Sequence, residues 1–376
     1  MIYFDNAATT YPKPEEVYLA LDKANREFAF NSGRGSYKEA KNSSKIISET
    51  RNAIASLADA RAEDVIFTHS ATEALNDIIF GMDWKQGDNV YVSPFEHNAI
   101  MRPLHQIKNE YDININIIPF NKLTWDIEKE TLEDMFILNK PKCIFCSAKS
   151  NVTGYNIPYK EIFKLGKEYN SINILDASQS FGVNKEIKKS KYIDFIVFAG
   201  HKSLYASFGV AGFLNFKDNL LKSYIIGGTG SDSLNFNMPP NSPDKYESGS
   251  KNVVAIYSLH ESIKWIEKID VNSKERMLLS YFYDKIKEND RIIKYIPSEI
   301  TKCSGIISIN IEGYTAEEIG ELLDAKDICV RTGYHCAPLV HDFINSRPYF
   351  GTVRISFNYF NTTEEIDKLL EILNSL

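Results

Sequence analysis

Ile193-Asp194-Phe195-Ile196-Val197-Phe198-Ala199-Gly200-His201-Lys202 holds, after Asp194, an apolar run that stops at a glycine, a histidine and a lysine before Ser203-Leu204-Tyr205. Aromatic and β-branched residues in unbroken succession read as a strand buried on both faces. Upstream, a second run from Ile172 to Leu175 stops at Asp176-Ala177-Ser178-Gln179-Ser180. Further outward lie Val65 to Thr68, Asn89 to Val92, Ile115 to Pro119, Cys143 to Ser147 and Gly209 to Leu214, making seven strand candidates in all. Segments with helical apolar spacing, such as Glu73 to Gly81 and Tyr159 to Tyr169, lie between them. Such alternation predicts an α/β chain with a mainly parallel, helix-covered sheet of seven strands.

Beyond Val253 the pattern changes. Amphipathic helices over Ala255 to Lys268 and Lys274 to Lys287 precede a strand over Gly305 to Ile311, a helix begun by Thr315 and a closing helix from Thr362. The expected organisation is a large domain over 15–252 and a smaller α+β domain over 253–376, joined by residues 1–14. The 376 residues are 43% hydrophobic, enough for two cores, and carry no repeat or low-complexity tract. A net charge of −7 argues against a general nucleic-acid binder. The start, Met1-Ile2-Tyr3-Phe4-Asp5-Asn6, lacks the basic and apolar segments of a signal peptide, and no apolar stretch would span a bilayer, so the expected compartment is the cytoplasm.

The ends of the two central strands hold chemistry. A lysine leaving a buried strand loses hydration, which destabilises its ammonium and makes a reactive neutral amine accessible. In an open α/β sheet, ligands bind at the carboxyl ends of strands. Asp176 there could face the ring nitrogen of a pyridine, and the pair Asp176 and Lys202 suggests pyridoxal phosphate. Thr68-His69-Ser70-Ala71-Thr72-Glu73-Ala74 follows a strand and opens a helix. It reads as a seat for phosphate or as an ordinary helix cap. His97, in Ser93-Pro94-Phe95-Glu96-His97-Asn98, could stack on a ring and shuttle protons near working pH, or be a plain loop histidine.

Of five cysteines, Cys143 and Cys146 form a Cys-x-x-Cys match inside a strand, where residues three apart face opposite ways, so the reading is structural and no metal site is expected. Cys329 reads as buried and inert. Cys336 differs, lying in Val330-Arg331-Thr332-Gly333-Tyr334-His335-Cys336-Ala337-Pro338-Leu339 beside His335 and near Arg331, where positive neighbours would favour thiolate. Arg354, within Gly351-Thr352-Val353-Arg354-Ile355-Ser356-Phe357, wants an anion. A substrate carboxylate and a structural ion pair are both open.

Together, from Tyr3-Phe4-Asp5-Asn6-Ala7-Ala8-Thr9-Thr10 through to Arg354 and Asn361-Thr362, these motifs in this order resemble the class V aminotransferase superfamily of fold-type I pyridoxal-phosphate enzymes, specifically its cysteine desulfurases and selenocysteine lyases. The resemblance implies that Lys202 carries the cofactor as a Schiff base and moves protons, Asp176 binds the pyridine nitrogen, Gln179 the phenolic oxygen, and His97 stacks on the ring. Thr72 and His201, with the amide of Ala71, would bind phosphate. Ser250 would reach the phosphate of a partner subunit, implying a homodimer with shared sites. Asn151 and Arg354 would grip the substrate carboxylate, and Cys336 would be the nucleophile. The implied activity converts L-cysteine to L-alanine with sulfur held as a persulfide on Cys336 and passed to an acceptor protein. Action on selenocysteine or another β-substituted amino acid is the alternative, and a non-catalytic scaffold on the same fold is a third reading. Two departures from the family pattern stand out: Gly33-Arg34 replaces a His-Arg pair, and Gly227 to Tyr246 is short for the hairpin expected there.

Overall fold

Residues 1–33, 35–230 and 234–376 are described by the computed structural model of the chain. In chain order, β1 (Ile2–Tyr3) leads into α1 (Glu15–Glu27) and α2 (Lys38–Leu57). Then come β2 (Val65–Thr68), α3 (Ala71–Gly81), β3 (Asn89–Val92), α4 (Asn98–Tyr111), β4 (Asn114–Ile117), α5 (Lys129–Leu138) and β5 (Pro141–Ser147). They are followed by α6 (Tyr159–Glu168), β6 (Ile172–Asp176), β7 (Phe195–Ala199) and β8 (Ala211–Asn215). All seven apolar runs are strands of one sheet, ordered β2-β8-β7-β6-β5-β3-β4.

Five strands, β4, β3, β5, β6 and β7, run parallel. β8 opposes both β7 and β2, so the sheet is mixed. Register sets Ser147 beside Asp176 and Asp176 beside Val197, which brings the carboxyl ends of β5, β6 and β7 to one edge. Alternate residues feed two cores. Ile144, Cys146, Leu175, Ile196 and Phe198 pack on one side of the sheet, while Cys143, Phe145, Ile174, Phe195 and Val197 pack on the other. Cys143 and Cys146 thus face opposite ways, and burial pushes both thiols up in pKa.

After α7 (Val253–Ile266), which packs on α1 and α2, the chain forms α8 (Val271–Ile286), β9 (Ile292–Tyr295), β10 (Ile306–Ile311), α9 (Ala316–Asp324), β11 (Ile328–Cys329), β12 (Arg331–Gly333), α10 (Pro338–Phe343), β13 (Thr352–Ser356) and α11 (Thr363–Leu373). An antiparallel sheet, β12-β13-β10-β9, forms from this stretch, and β1 pairs in parallel with β11. Thr315 and Thr362 start α9 and α11 with reciprocal bonds to Glu318 and Glu365, the Thr-x-x-Glu signature that marks a helix start in sequence. Arg34 lies outside the described residues, as do three within Gly227 to Tyr246. Among the described residues of that segment there is no strand. Among the described residues, no helix is long and apolar enough to cross a membrane.

Candidate active site

The turn after β7 hugs the neighbouring strand: Gly200 N donates to Val210 O at 3.0 Å, and a Cβ at Gly200 would sit 2.5 Å from that same oxygen. Only glycine fits such a close approach. Lys202 follows, its ammonium disfavoured chiefly by burial and supported in part by Asp176, so its pKa is lowered. The turn is braced from beneath by Lys13, whose Nζ donates to His201 O at 2.9 Å and to Thr10 Oγ1 at 2.7 Å. Burial brings Lys13 to about 7. Sequence reading passed over this lysine, which stands in a Pro-flanked loop with no visible partner.

A cleft of about 570 Å³, counted to its open mouth, runs from Lys202 past Asp176, Gln179 and His97 to the start of α3, and Asn151 lines it as well. Asp176 Oδ1 accepts from Ser178 N at 2.9 Å and Ser178 Oγ at 2.5 Å. Among the described residues nothing donates to Oδ2, which is left for a ligand. Gln179 is held by a 2.8 Å bond from Nε2 to Ala7 O. His97 is the N-cap of α4, with Nδ1 accepting from Ala99 N at 3.0 Å. That bond and the lowered pKa, about 4 because of burial and then Lys202, keep the ring neutral and correct the expectation of titration near working pH. Behind it, the fully buried Glu96 accepts from Ser147 N and Ser147 Oγ, both at 2.8 Å, and from Ser93 Oγ. Burial raises Glu96 to about 7.

At the far end of the cleft, Ser70 caps α3 by accepting from Glu73 N at 3.1 Å, so the cap reading of this motif holds. A first helical turn has no intrahelical carbonyls for its amides, which leaves those of Ala71 and Thr72 toward the cleft. His201 stacks on Phe208 with ring centroids 4.5 Å apart, and its buried Nδ1 has no partner. Burial, then Lys202 and Lys13, lower its pKa to about 3. Ser250 is not in this cleft. It is exposed in a separate depression with Gly209, Ser248 and Asn252.

Cys336 is exposed on a turn in which His335 and Cys336 have φ of +47° and +55°. The turn docks against the cleft: Asn98 N donates to Cys336 O at 2.6 Å and Asn151 Nδ2 donates to His335 O at 2.9 Å. A thiolate at Cys336 lies within electrostatic reach of Lys202. Arg354 donates from Nη1 to Asn151 O at 3.0 Å and from Nη2 to Asp5 Oδ1 at 2.6 Å, while its buried Nε has no partner. Both sequence readings of Arg354 therefore have a foothold, an ion pair with Asp5 and a nitrogen, Nε, without a partner. The positive neighbours expected for Cys336 are changed. His335 is buried and its pKa is lowered well below the ordinary value by burial and Arg354, and Arg331 lies 3.6 Å from Asp5. Cys329 is half-buried rather than buried.

The structure brings Lys202, Asp176, Gln179, His97, Thr72, Ala71, His201 and Asn151 to one cleft, with Arg354 and Cys336 joined to it through Asn151. Missed in sequence were Asp5, Ser178 and Asn98. Asp5 and Ser178 sit in segments already singled out, but a backbone amide such as that of Asn98 leaves no signal.

The model of the aminotransferase class V family matches residues 2–369. A cysteine desulfurase of Wigglesworthia glossinidia brevipalpis is 31% identical over 99% of this chain and 92% of its own length. A probable cysteine desulfurase of Borreliella burgdorferi is likewise 31% identical, over 98% of this chain and 90% of its own. The apo structure of a cysteine desulfurase from Thermococcus onnurineus superposes with a TM-score of 0.92 at 25% identity, covering 100% of this chain and 94% of that one. On a match that spans nearly every residue, the chain belongs to the class V aminotransferase family.

Proposed function

We propose that the chain is a pyridoxal-phosphate-dependent cysteine desulfurase, and the observation that carries this is the docking of an exposed cysteine turn onto a cleft lined by Lys202 and Asp176. The cofactor fits the residues present. Its phosphate suits the free amides of Ala71 and Thr72, the Thr72 hydroxyl and the orphaned Nδ1 of His201. The unoccupied Oδ2 of Asp176 suits a protonated ring nitrogen, Gln179 the phenolic oxygen, and the flat face of His97 the ring. When bound, the cofactor supplies an aldehyde for the Lys202 amine and an electron sink for the substrate's Cα.

Each residue then has a task. Lys202, whose ammonium is disfavoured by burial, would hold the cofactor through its amine and would afterwards take the Cα proton of L-cysteine. Arg354, whose buried Nε has no partner, and Asn151 would hold the carboxylate. The Cys336 thiolate attacks the substrate sulfur: an S–S bond forms, the substrate's Cβ–S bond breaks, and the carbon fragment leaves as L-alanine. In balance, L-cysteine and the Cys336 thiol give L-alanine and a Cys336 persulfide. An acceptor protein takes the sulfur, in iron–sulfur cluster assembly or a related pathway, and the compartment is the cytoplasm.

Two further points belong to this reading. A homodimer with shared sites is supported by Ser250, exposed and away from its own chain's cleft, and by Phe208, 64% exposed on top of His201. Of the division into 15–252 and 253–376 with 1–14, the grouping of 1–14 with the smaller domain is supported by the parallel pairing of β1 with β11, whereas α7 packs on α1 and α2 of the larger one. Peptide mass spectrometry after adding L-cysteine to the cofactor-loaded enzyme tests the function. One added sulfur on Cys336 with matching alanine is expected, and alanine formation unchanged in Cys336→Ser would favour a simple C–S lyase.

A further inference from the structure

Two consecutive non-glycine residues in the left-handed region are held only where their surroundings insist. The Cys336 turn is such a place, and its main-chain anchors, Asn98 and Asn151, account for two carbonyls but not for the side chain of His335. His335 as a residue is 8% exposed. Its Nε2 lies 2.8 Å from Thr352 Oγ1 and 3.1 Å from Thr352 O. A carbonyl only accepts, so Nε2 carries the proton and donates. Thr352 Oγ1 in turn donates to Ser308 Oγ at 3.0 Å, and Ser308 Oγ donates to Val152 O at 2.7 Å. The chain of donors is directional and ends beside Asn151, whose Nδ2 returns to His335 O at 2.9 Å. A closed circuit therefore joins the cysteine turn, β13, β10 and the loop that carries Asn151.

We propose that His335 is a positioning residue for the nucleophile: its ring pegs the left-handed turn to Thr352 and, through Ser308, to the Asn151–Val152 loop, so that Cys336 is presented to the cleft in one place. This rests on the desulfurase reading for its purpose but not for its geometry. His335 exchanges no proton with Cys336 in this arrangement, because the protonated nitrogen is turned to Thr352. The other nitrogen is buried without a partner.

The test uses the cofactor-loaded enzyme with His335→Gln, His335→Ala and Ser308→Ala. A Gln amide can replace Nε2–H as a donor, whereas Ala cannot. Three readouts are taken: amide exchange in residues 334–337, the pH midpoint of Cys336 alkylation by iodoacetamide, and alanine formation from L-cysteine. Expected for His335→Ala are faster exchange in the turn and a loss of alanine formation of up to about a hundredfold, as for a misplaced reacting group. The alkylation midpoint and cofactor absorbance stay where they were. His335→Gln restores slow exchange and most of the activity, and Ser308→Ala, remote from the cysteine, speeds exchange to an intermediate degree. The proposal is overturned if His335→Gln is as impaired as His335→Ala with a raised alkylation midpoint, which marks an ion-pair or acid–base partner. Unchanged exchange in both His335→Ala and Ser308→Ala overturns it too. Should the unaltered enzyme form no persulfide, the functional reading fails, while the exchange and alkylation measurements still decide the role of His335.

Discussion

Asp5→Asn strikes the charge balance of the site. Arg354 is 3% exposed, and its full charge is answered by Asp5 Oδ1 at 2.6 Å. Removing one partner of a buried pair leaves the other uncompensated, at a cost of about 3–5 kcal/mol, and an Asn oxygen that still accepts the hydrogen bond argues for the lower figure, about 3 kcal/mol. With an unfolding entropy of roughly 2.1 cal/mol/K per residue, a chain of this length has about 0.8 kcal/mol/K, so Tm should fall by about 4 °C. The freed guanidinium then seeks another anion. L-alanine, whose carboxylate can take that place, should raise the variant's Tm by more than it raises that of the unaltered enzyme. Differential scanning fluorimetry with and without L-alanine reads both effects. A Tm within about 1 °C of the unaltered enzyme, or an equal response to L-alanine, would refute the view that Asp5 and a substrate carboxylate share Arg354.

Glu96 gives a pH signature. Its folded-state pKa of about 7 exceeds the ordinary carboxyl value of 4.5, so its contribution to stability is fully present below pH 4.5 and is lost as pH rises through 7, a change of about 3 kcal/mol for so deeply buried a group. Denaturant titrations of Glu96→Gln at pH 4.5 and pH 8 should lack that change relative to the unaltered enzyme, and an identical pH dependence in the two proteins would contradict it. Gly200→Ala forces a methyl to 2.5 Å from Val210 O and displaces the turn that carries Lys202. Absorbance titration should find cofactor affinity down by about tenfold or more, with stability lower by about 1–3 kcal/mol. Cofactor binding equal to that of the unaltered enzyme would show that the turn absorbs the change.

Much of this was legible in the sequence because the central strands of the sheet are buried on both faces. Strands such as β5 to β8 are built mainly of apolar residues, with Lys142 and Asn173 as the internal polar positions, and each appeared as an apolar run with a polar stop. The antiparallel course of β8 was not legible, since direction comes from the connection and not from the residues of the strand. Lys202 and Asp176 stood out because each ends a run. The neutrality of His97 did not, because it depends on burial and on Lys202 meeting it in space. The same holds for His335: in sequence it is a cation beside a thiol, and in the fold it is a neutral ring turned toward Thr352, seventeen residues further on. The pairing of Asp5 with Arg354 spans almost the whole chain and has no local trace.

The account rests most heavily on the amine of Lys202. Incubation with pyridoxal phosphate, reduction with borohydride and peptide mapping test it directly. The cofactor should be fixed on the peptide carrying Lys202 and absent from it in Lys202→Ala. Reduction that leaves Lys202 unmodified, or that labels Lys13 in its place, would contradict the account.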